Sequence, residues 1–176
     1  MTTLPACVAE INTGDCNAMS ACKCEPDINP QPIGDFPDTQ GTLQCGGKLS
    51  CNSQSASNTN FFRMNTPSPL ECSGQNSCQI DFNVENIGSM CVTGDNAVGP
   101  SSQAGTYKLA DPDVATGRVN DVCCAREVGQ NQPTCKSPTF ENVGSFFCTG
   151  DVSCDNVQAT LSGESWMQQW LLMLDC

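Results

Sequence analysis

Leu70-Glu71-Cys72-Ser73-Gly74-Gln75-Asn76-Ser77-Cys78 is the stretch that decides the fold, because its pattern occurs at two other places in the chain. The pattern is apolar-x-Cys-x-Gly-x-x-Ser-Cys; residues 43–51 and 146–154 fit it completely, and residues 174–176 match its beginning. A period of 27 residues separates Cys45 from Cys72, which is typical of units that bury their apolar edges by stacking on neighbours. The sequence therefore predicts a mainly β, small, disulfide-rich fold of short stacked strands joined by long loops.

Each copy of the repeat has a physical interpretation. The apolar residue and the first cysteine share one face of a strand, because side chains alternate between faces. The glycine two positions later (Gly47, Gly74 or Gly150) is expected to supply a positive φ at a turn. Two cysteines six positions apart across a tight turn can reach the Cα separation of a disulfide, roughly 4.4–6.8 Å. Pairing between neighbouring copies is equally allowed, so the spacing leaves both pairings open.

Cysteine is the dominant feature of the composition, at 15 of 176 residues, and histidine is absent. No Cys-x2-Cys pair is present, and structural zinc sites commonly use such pairs, often with histidine. The cysteines therefore predict disulfides formed in an oxidising compartment. The predicted disulfide residues are Cys7, Cys16, Cys22, Cys24, Cys45, Cys51, Cys72, Cys78, Cys91, Cys123, Cys124, Cys135, Cys148, Cys154 and Cys176. Because the count is odd, we expect a free thiol, a bridge to another chain, or a chain that is a segment of a longer protein.

The net charge of −12, with only 7 basic residues, disfavours binding to nucleic acid. An acidic chain is also disfavoured at an anionic membrane surface. No apolar run approaches 18 residues, so the sequence predicts no membrane span. The expected location is extracellular or surface-exposed, and a virion surface is an alternative because residues 1–6 do not form a signal peptide.

Three regions follow from the spacing of proline, glycine and cysteine. Residues 1–41 are predicted to be a Cys/Pro-rich N-terminal strap, and residues 42–128 to hold repeats one and two. Glycines and prolines at 92–118 predict a loop inserted into that second region. Residues 129–176 are predicted to hold repeat three and a truncated fourth. A capping-box pattern that begins at Ser165 predicts one short helix near the C-terminus.

Candidate sites for ligands and partners are few. Carboxylates at Asp95, Asp111 and Asp113 are a candidate calcium site, with a solvated acidic loop as the alternative. Without histidine the common general bases and triads are missing, so neither an enzyme nor a cofactor is predicted. The aromatic residues expected at contacts between repeats or subunits are Phe61, Phe62, Phe146, Phe147, Trp166 and Trp170.

One family resemblance bears on function. Residues 70–124 contain Cys72–Cys78, then Cys91, then Gly105-Thr106-Tyr107-Lys108, and finally a strand-like segment at 119–123 that ends in cysteine. In this order they resemble part of a rhamnose-binding domain of the sea-urchin-egg-lectin type. The resemblance implies carbohydrate binding, with Lys108 and nearby acidic residues facing the sugar.

The repeats and the odd cysteine count favour a different role. They predict a non-enzymatic building block of a filament, coat or capsid, whose partners are copies of itself or other subunits. A lectin-like module that binds a glycan is the alternative.

Overall fold

The computed structural model describes residues 6–23, 31–36, 41–52, 61–79, 83–99, 106–111, 120–127, 129–151 and 153–162. Within these ranges lie one helix and eleven strands. They are α1 (Ala6–Ile11), β1 (Gln31–Ile33), β2 (Leu43–Cys45), β3 (Phe61–Cys72), β4 (Asn83–Val92), β5 (Thr106–Leu109), β6 (Asp121–Ala125), β7 (Cys135–Lys136), β8 (Thr139–Val143), β9 (Ser145–Thr149), β10 (Cys154–Asp155) and β11 (Gln158–Leu161).

Every pair of described strands is parallel, and neighbours in a ladder come from successive circuits of the chain. One ladder runs β1-β3-β4-β5-β8-β11, and a second runs β2-β3-β4-β6-β9. Strands β3 and β4 belong to both ladders because each continues around a corner. The chain therefore winds as a parallel β-helix, in which each circuit is one coil.

Each coil has three faces in the same order. Face A comprises β2, β6, β9 and the last residues of β3 and β4. Face B follows a tight corner and includes β7 and β10, and face C comprises β1, β5, β8, β11 and the first residues of β3 and β4. We number coils 1 to 6 by the inward residue near the end of face A, in the order Cys16, Cys45, Cys72, Val92, Cys124 and Cys148.

The core fills the space between the faces. On face A the strand β2 alternates buried, exposed, buried, which is the predicted pattern of an apolar residue and a cysteine on one side. On face C one buried column runs through five coils in direct register: Phe62, Val84, Tyr107, Phe140 and Ala159. The rings of Tyr107 and Phe140 lie 5.5 Å apart, so aromatic contacts join successive coils across the core.

The repeat glycines lie in a column at the corner between faces A and B. A Cβ on Gly47 would lie 2.0 Å from the carbonyl oxygen of Ala18, and one on Gly74 would lie 2.1 Å from that of Gly47. The expectation of a positive φ is wrong for these two glycines and correct for Gly150, whose φ is 92°. Glycine is required at Gly47 and Gly74 because the backbone of the preceding coil passes too close for a side chain.

The mainly β, disulfide-rich class and the stacking of the repeats are confirmed. The helix of the described residues is α1, which the sequence did not predict; it buries Val8 and Ile11 at the N-terminal end of the coils. The predicted C-terminal helix falls at 163–176, outside the described residues.

The range 92–118, predicted as an inserted loop, contains regular structure in its described part. Residues 92–99 form the corner and face B of coil 4, and β5 is the face C strand of that coil. Gly94 belongs to the β-helix, because it continues the glycine column with its Cβ position 2.3 Å from the oxygen of Gly74. The division of the chain into three regions stays a prediction.

Candidate functional sites: an internal disulfide ladder and an external thiol pair

Five disulfides join face A to face B inside single coils, and we call this series the disulfide ladder. Its Cα–Cα distances are between 5.7 and 6.1 Å. The pairs are Cys16–Cys22, Cys45–Cys51, Cys72–Cys78, Cys124–Cys135 and Cys148–Cys154. The open question of pairing is thereby answered, since every copy of the repeat closes on itself. Cys7 is also disulfide-bonded, whereas Cys24 and Cys176 lie outside the described residues.

Coil 4 carries two valines where the other coils carry the ladder. Val92 lies in register with Cys72 of coil 3 and with Cys124 of coil 5. Val98 lies in register with Cys135. Both valine side chains are fully buried, so an apolar pair replaces one disulfide at the middle of the series.

The ladder contributes a large part of the free energy of unfolding of a fold whose strands are mostly short. Closing a loop of this size stabilises the folded state by about 2–3 kcal/mol in the chain-entropy model. The sulfur atoms are also protected, because Cys45, Cys72 and Cys124 are completely buried. Thiol–disulfide exchange needs access to a sulfur atom, so we expect these bridges to be permanent under native conditions.

Amide side chains form a second, non-covalent link between coils 2, 3 and 4 near the corner of face B. Asn96 donates its Nδ2 hydrogen to Oδ1 of Asn76 at 3.0 Å, and Gln79 donates from Nε2 to the Asn96 carbonyl at 3.0 Å. Asn52 donates to Oε1 of Gln79 at 3.3 Å. Because Asn52 and Gln79 are buried, these bonds satisfy groups that would otherwise be costly to bury.

The corner between faces C and A uses asparagine in the left-handed region. Asn86 and Asn142 have φ values of 64° and 62°, a conformation that asparagine tolerates better than most residues. Their Nδ2 groups donate to carbonyl oxygens of the preceding coil, Met64 at 2.7 Å and Leu109 at 3.2 Å. We did not predict this corner, although the sequence carries a signal for it: Glu-Asn-x-Gly-Ser at 85–89 and again at 141–145.

Two cysteines of the described residues, Cys91 and Cys123, are free, and we call them the thiol pair. They are direct register partners on the outer side of face A. Glu71 is the next register partner on one side and Phe147 on the other. In this structure neither cysteine is in a disulfide, because strand alternation turns both away from the internal ladder. That they form disulfides stays a prediction.

The surroundings of Cys91 disfavour its thiolate. Although the side chain is exposed, partial desolvation on the strand surface raises the pKa of the Cys91 thiol. A Cys123 thiolate and the Glu71 carboxylate raise this pKa further, because each places a negative charge beside the Cys91 thiolate. Cys91 is accordingly a slow nucleophile at neutral pH, since only the thiolate attacks.

Replacing Glu71 by Gln should make Cys91 more reactive. Glu71→Gln removes one of the negative groups that raise the pKa of this thiol, so we expect Cys91 to react about twofold faster or more with an aromatic disulfide reagent at neutral pH. The rate is measured by absorbance under pseudo-first-order conditions, and it should rise with pH in both proteins. Glu141→Gln, on face C, is the matched control; equal rates for Glu71→Gln and the unmodified protein would contradict the electrostatic assignment.

The carboxylates proposed for calcium are placed apart. Asp95, at the corner of coil 4, accepts the backbone N–H of Gln132 at 2.8 Å, and Asp111, after β5, accepts Nδ2 of Asn142 at 2.9 Å. Asp113 lies outside the described residues. Among the residues that the structure does describe, the one cluster of metal-ligand side chains is Cys16, Cys22 and Cys51, whose sulfurs are all in disulfides.

The predicted contact aromatics have different environments. Phe62 is buried in the core and Phe146 packs on Phe140 with ring centroids 5.6 Å apart, so both contribute to contacts between coils. Phe147 is 52% exposed on coil 6. Trp166, Trp170 and the side chain of Phe61 lie outside what the structure describes. Lys108, the sugar-facing candidate, is exposed on β5 in register with Glu141.

A polar groove of about 420 Å³ lies beside the longer corner of coil 5. Its lining residues are Arg126, Glu127, Gly129, Gln130, Gly150 and Asp151. The Arg126 guanidinium donates to the carbonyl oxygens of Asp151 and Gln130. The cation therefore stabilises the corner, and the groove has no aromatic side chain in its lining.

Comparison of the chain with protein-family models, curated proteins and solved structures finds no match. No helix in the described part of the chain has the length and apolar character needed to cross a membrane. The interpretation of function therefore depends on the chain itself.

Proposed function

We propose that this protein is a non-enzymatic structural building block of an extracellular or surface assembly, such as a filament, coat or capsid. One observation carries the proposal: covalent bridges close five of the six coils from inside. Proteins with such disulfides mature in oxidising compartments. A β-helix closed in this way is resistant to unfolding of single coils and to reduction, as an exposed assembly requires.

The geometry of the β-helix suits growth along its axis. Neighbouring coils are separated by about 4.8 Å, the ordinary spacing of paired strands. A strand at either end presents backbone groups that a further strand can pair with, and exposed edges of this kind direct end-to-end association. In the described residues, β9 and β11 each have a neighbour on one side only.

Exposed apolar side chains support association at the ends of the β-helix. Among the residues that the structure describes, the exposed large hydrophobic side chains are Met19 at 73%, Phe147 at 52% and Leu161 at 42%. Met19 belongs to coil 1, whereas Phe147 and Leu161 belong to coil 6. The described residues of coils 2 to 5 include no exposed large hydrophobic side chain, so the ends are the favoured contact surfaces for a second copy.

Electron microscopy and size-exclusion chromatography of the full chain test the proposal. We expect particles that lengthen as protein concentration rises and that dissociate when a strong reductant opens the ladder. Leu161→Glu should shift the distribution towards monomers, because it places a charge at the proposed contact; Gln158→Glu, also exposed on β11, is the matched control. A protein that stays monomeric at all concentrations would refute the proposal, and specific binding on a glycan array would favour the lectin alternative.

A further inference from the structure

The thiol pair and the gap in the disulfide ladder occur at the same level of the β-helix. Cys91 directly precedes Val92 on face A of coil 4, and Cys123 directly precedes Cys124 on face A of coil 5. Coil 4, which lacks the internal bridge, therefore carries a free cysteine on its outer side. Its register partner in the next coil is the other free cysteine of the described residues.

We propose that Cys91 and Cys123 are an exchangeable disulfide site on the outer surface, which ties coil 4 to coil 5 when oxidised by a low-molecular-weight disulfide such as oxidised glutathione. The Cys91–Cys123 bond would differ from the ladder bonds because it would link two neighbouring coils along the axis of the β-helix. The ladder closes each coil on itself.

The distances allow this bridge. Register partners on adjacent strands have Cα atoms about 4.8 Å apart, inside the range of about 4.4–6.8 Å that disulfides span. The two side chains leave the same side of the sheet, because Cys91 and Cys123 are direct register partners on parallel strands.

The exchange proceeds in two balanced steps. The Cys91 thiolate attacks one sulfur of the external disulfide, which forms a mixed disulfide on Cys91 and releases one thiolate. The Cys123 thiolate then attacks the Cys91 sulfur, which forms the Cys91–Cys123 bond and releases the second thiolate. The external disulfide gains the two electrons that the two cysteines lose, and the protons from the cysteine thiols are taken up by the two released thiolates.

Exposure assigns the order of attack and separates this site from the ladder. Cys91 is exposed and Cys123 is half-buried, so the external disulfide reaches Cys91 first. The nearest ladder sulfurs, on Cys72 and Cys124, are completely buried. We therefore expect the thiol pair to exchange at ratios of oxidised to reduced glutathione that leave all ladder bridges intact.

The test is differential alkylation and peptide mapping of the full chain, equilibrated in glutathione buffers of increasing oxidation. The expected result is a Cys91–Cys123 cross-linked peptide that appears and disappears with the buffer ratio, while the five ladder peptides stay constant. In Cys123→Ser, which removes the resolving thiol, Cys91 should accumulate as the mixed disulfide with glutathione. In Cys91→Ser, the half-buried Cys123 should react at least several-fold more slowly than Cys91 does in Cys123→Ser.

Several outcomes would overturn the inference. They are free thiols at both positions in fully oxidised glutathione, stable mixed disulfides at both positions without a cross-link, or exchange of the ladder at the same buffer ratio. Because the unmodified protein is mapped directly, the test does not depend on the folding of a variant. It also reads out separately from the assembly experiment, since thiol mapping does not require that the protein associates.

Discussion

Gly74→Ala should destabilise the protein by about 3 kcal/mol, at the upper end of what an overpacked site costs. The new Cβ would lie 2.1 Å from the carbonyl oxygen of Gly47 and 2.6 Å from its carbonyl carbon. Both atoms are backbone: the Gly47 carbonyl accepts the Ser50 N–H within its corner, and the Gly47 N–H donates to the Cys16 carbonyl of coil 1, so the clash cannot be relieved by rotating a side chain. We expect a lower midpoint of guanidinium unfolding, measured by circular dichroism with the disulfides intact.

Gly34→Ala is the matched control for this substitution. The three atoms nearest to its Cβ all belong to the Asn12 side chain, the closest at 3.3 Å. Asn12 Oδ1 accepts the Gly34 N–H, but a side chain can shift by the few tenths of an ångström that this contact needs. The expected destabilisation is below about 1 kcal/mol, because little packing changes. Similar losses in Gly34→Ala and Gly74→Ala would show that the glycine column does not depend on close approach of the coils.

The column also explains why alanine is found at one of its positions. Ala18 of coil 1 stands where coils 2, 3 and 4 have Gly47, Gly74 and Gly94, and each of these glycines faces the backbone of the coil before it. Coil 1 is the first coil that the structure describes. No carbonyl oxygen of an earlier described coil therefore lies against Ala18, and a Cβ is tolerated there. The absence of glycine from Cys16–Cys22 is also why the repeat pattern did not identify coil 1.

The β class, the stacking and the cysteine spacing could be predicted because they depend on local patterns. Strand alternation and a six-residue step between cysteines require no knowledge of neighbouring coils. The close approach that requires Gly47 and Gly74 could not be predicted in this way, because it is made by a carbonyl oxygen of the preceding coil, more than twenty residues earlier in the sequence. Positive φ values fall instead on Leu49, Cys51 and Cys78, residue types that give no sequence signal for that conformation.

Coil 4 was predicted as a loop because it has Val92 and Val98 at the positions where the other coils have ladder cysteines. Residues 84–98 read Val-Glu-Asn-Ile-Gly-Ser-Met-Cys-Val-Thr-Gly-Asp-Asn-Ala-Val, and residues 140–154 read Phe-Glu-Asn-Val-Gly-Ser-Phe-Phe-Cys-Thr-Gly-Asp-Val-Ser-Cys. The Glu-Asn-x-Gly-Ser and Thr-Gly-Asp motifs recur at the same positions in both. A search that treated valine as equivalent to a buried cysteine would therefore have found the coil and excluded an inserted loop at 92–99.

The thiol pair shows the limit of cysteine counting. The odd number of cysteines predicts at least one without a partner in the chain, and two free cysteines in the described residues do not account for an odd number, so this stays a prediction. The count could not indicate that Cys91 and Cys123 meet, because their register is set by the number of residues in the intervening coil. Strand alternation does place Cys123 outward once Cys124 is known to point inward, so the environment of one member was accessible from the sequence.

Val92→Cys together with Val98→Cys should complete the ladder and stabilise the protein by about 2 kcal/mol. The positions are six residues apart, like Cys72 and Cys78, whose Cα atoms lie 6.0 Å apart. Val92 is in register with Cys72 and Val98 with Cys135, which are both ladder cysteines of adjacent coils. Mass spectrometry under non-reducing conditions should find the new bridge, and guanidinium unfolding should show the gain. Each single variant is a control that adds a buried thiol without a partner and should not stabilise. The reciprocal change, Cys72→Val with Cys78→Val, should cost a similar amount, since coil 4 shows that two valines fill this space but cannot constrain the unfolded chain. A double cysteine variant whose new thiols stay reduced in an oxidising buffer would show that coil 4 lacks the corner geometry of its neighbours.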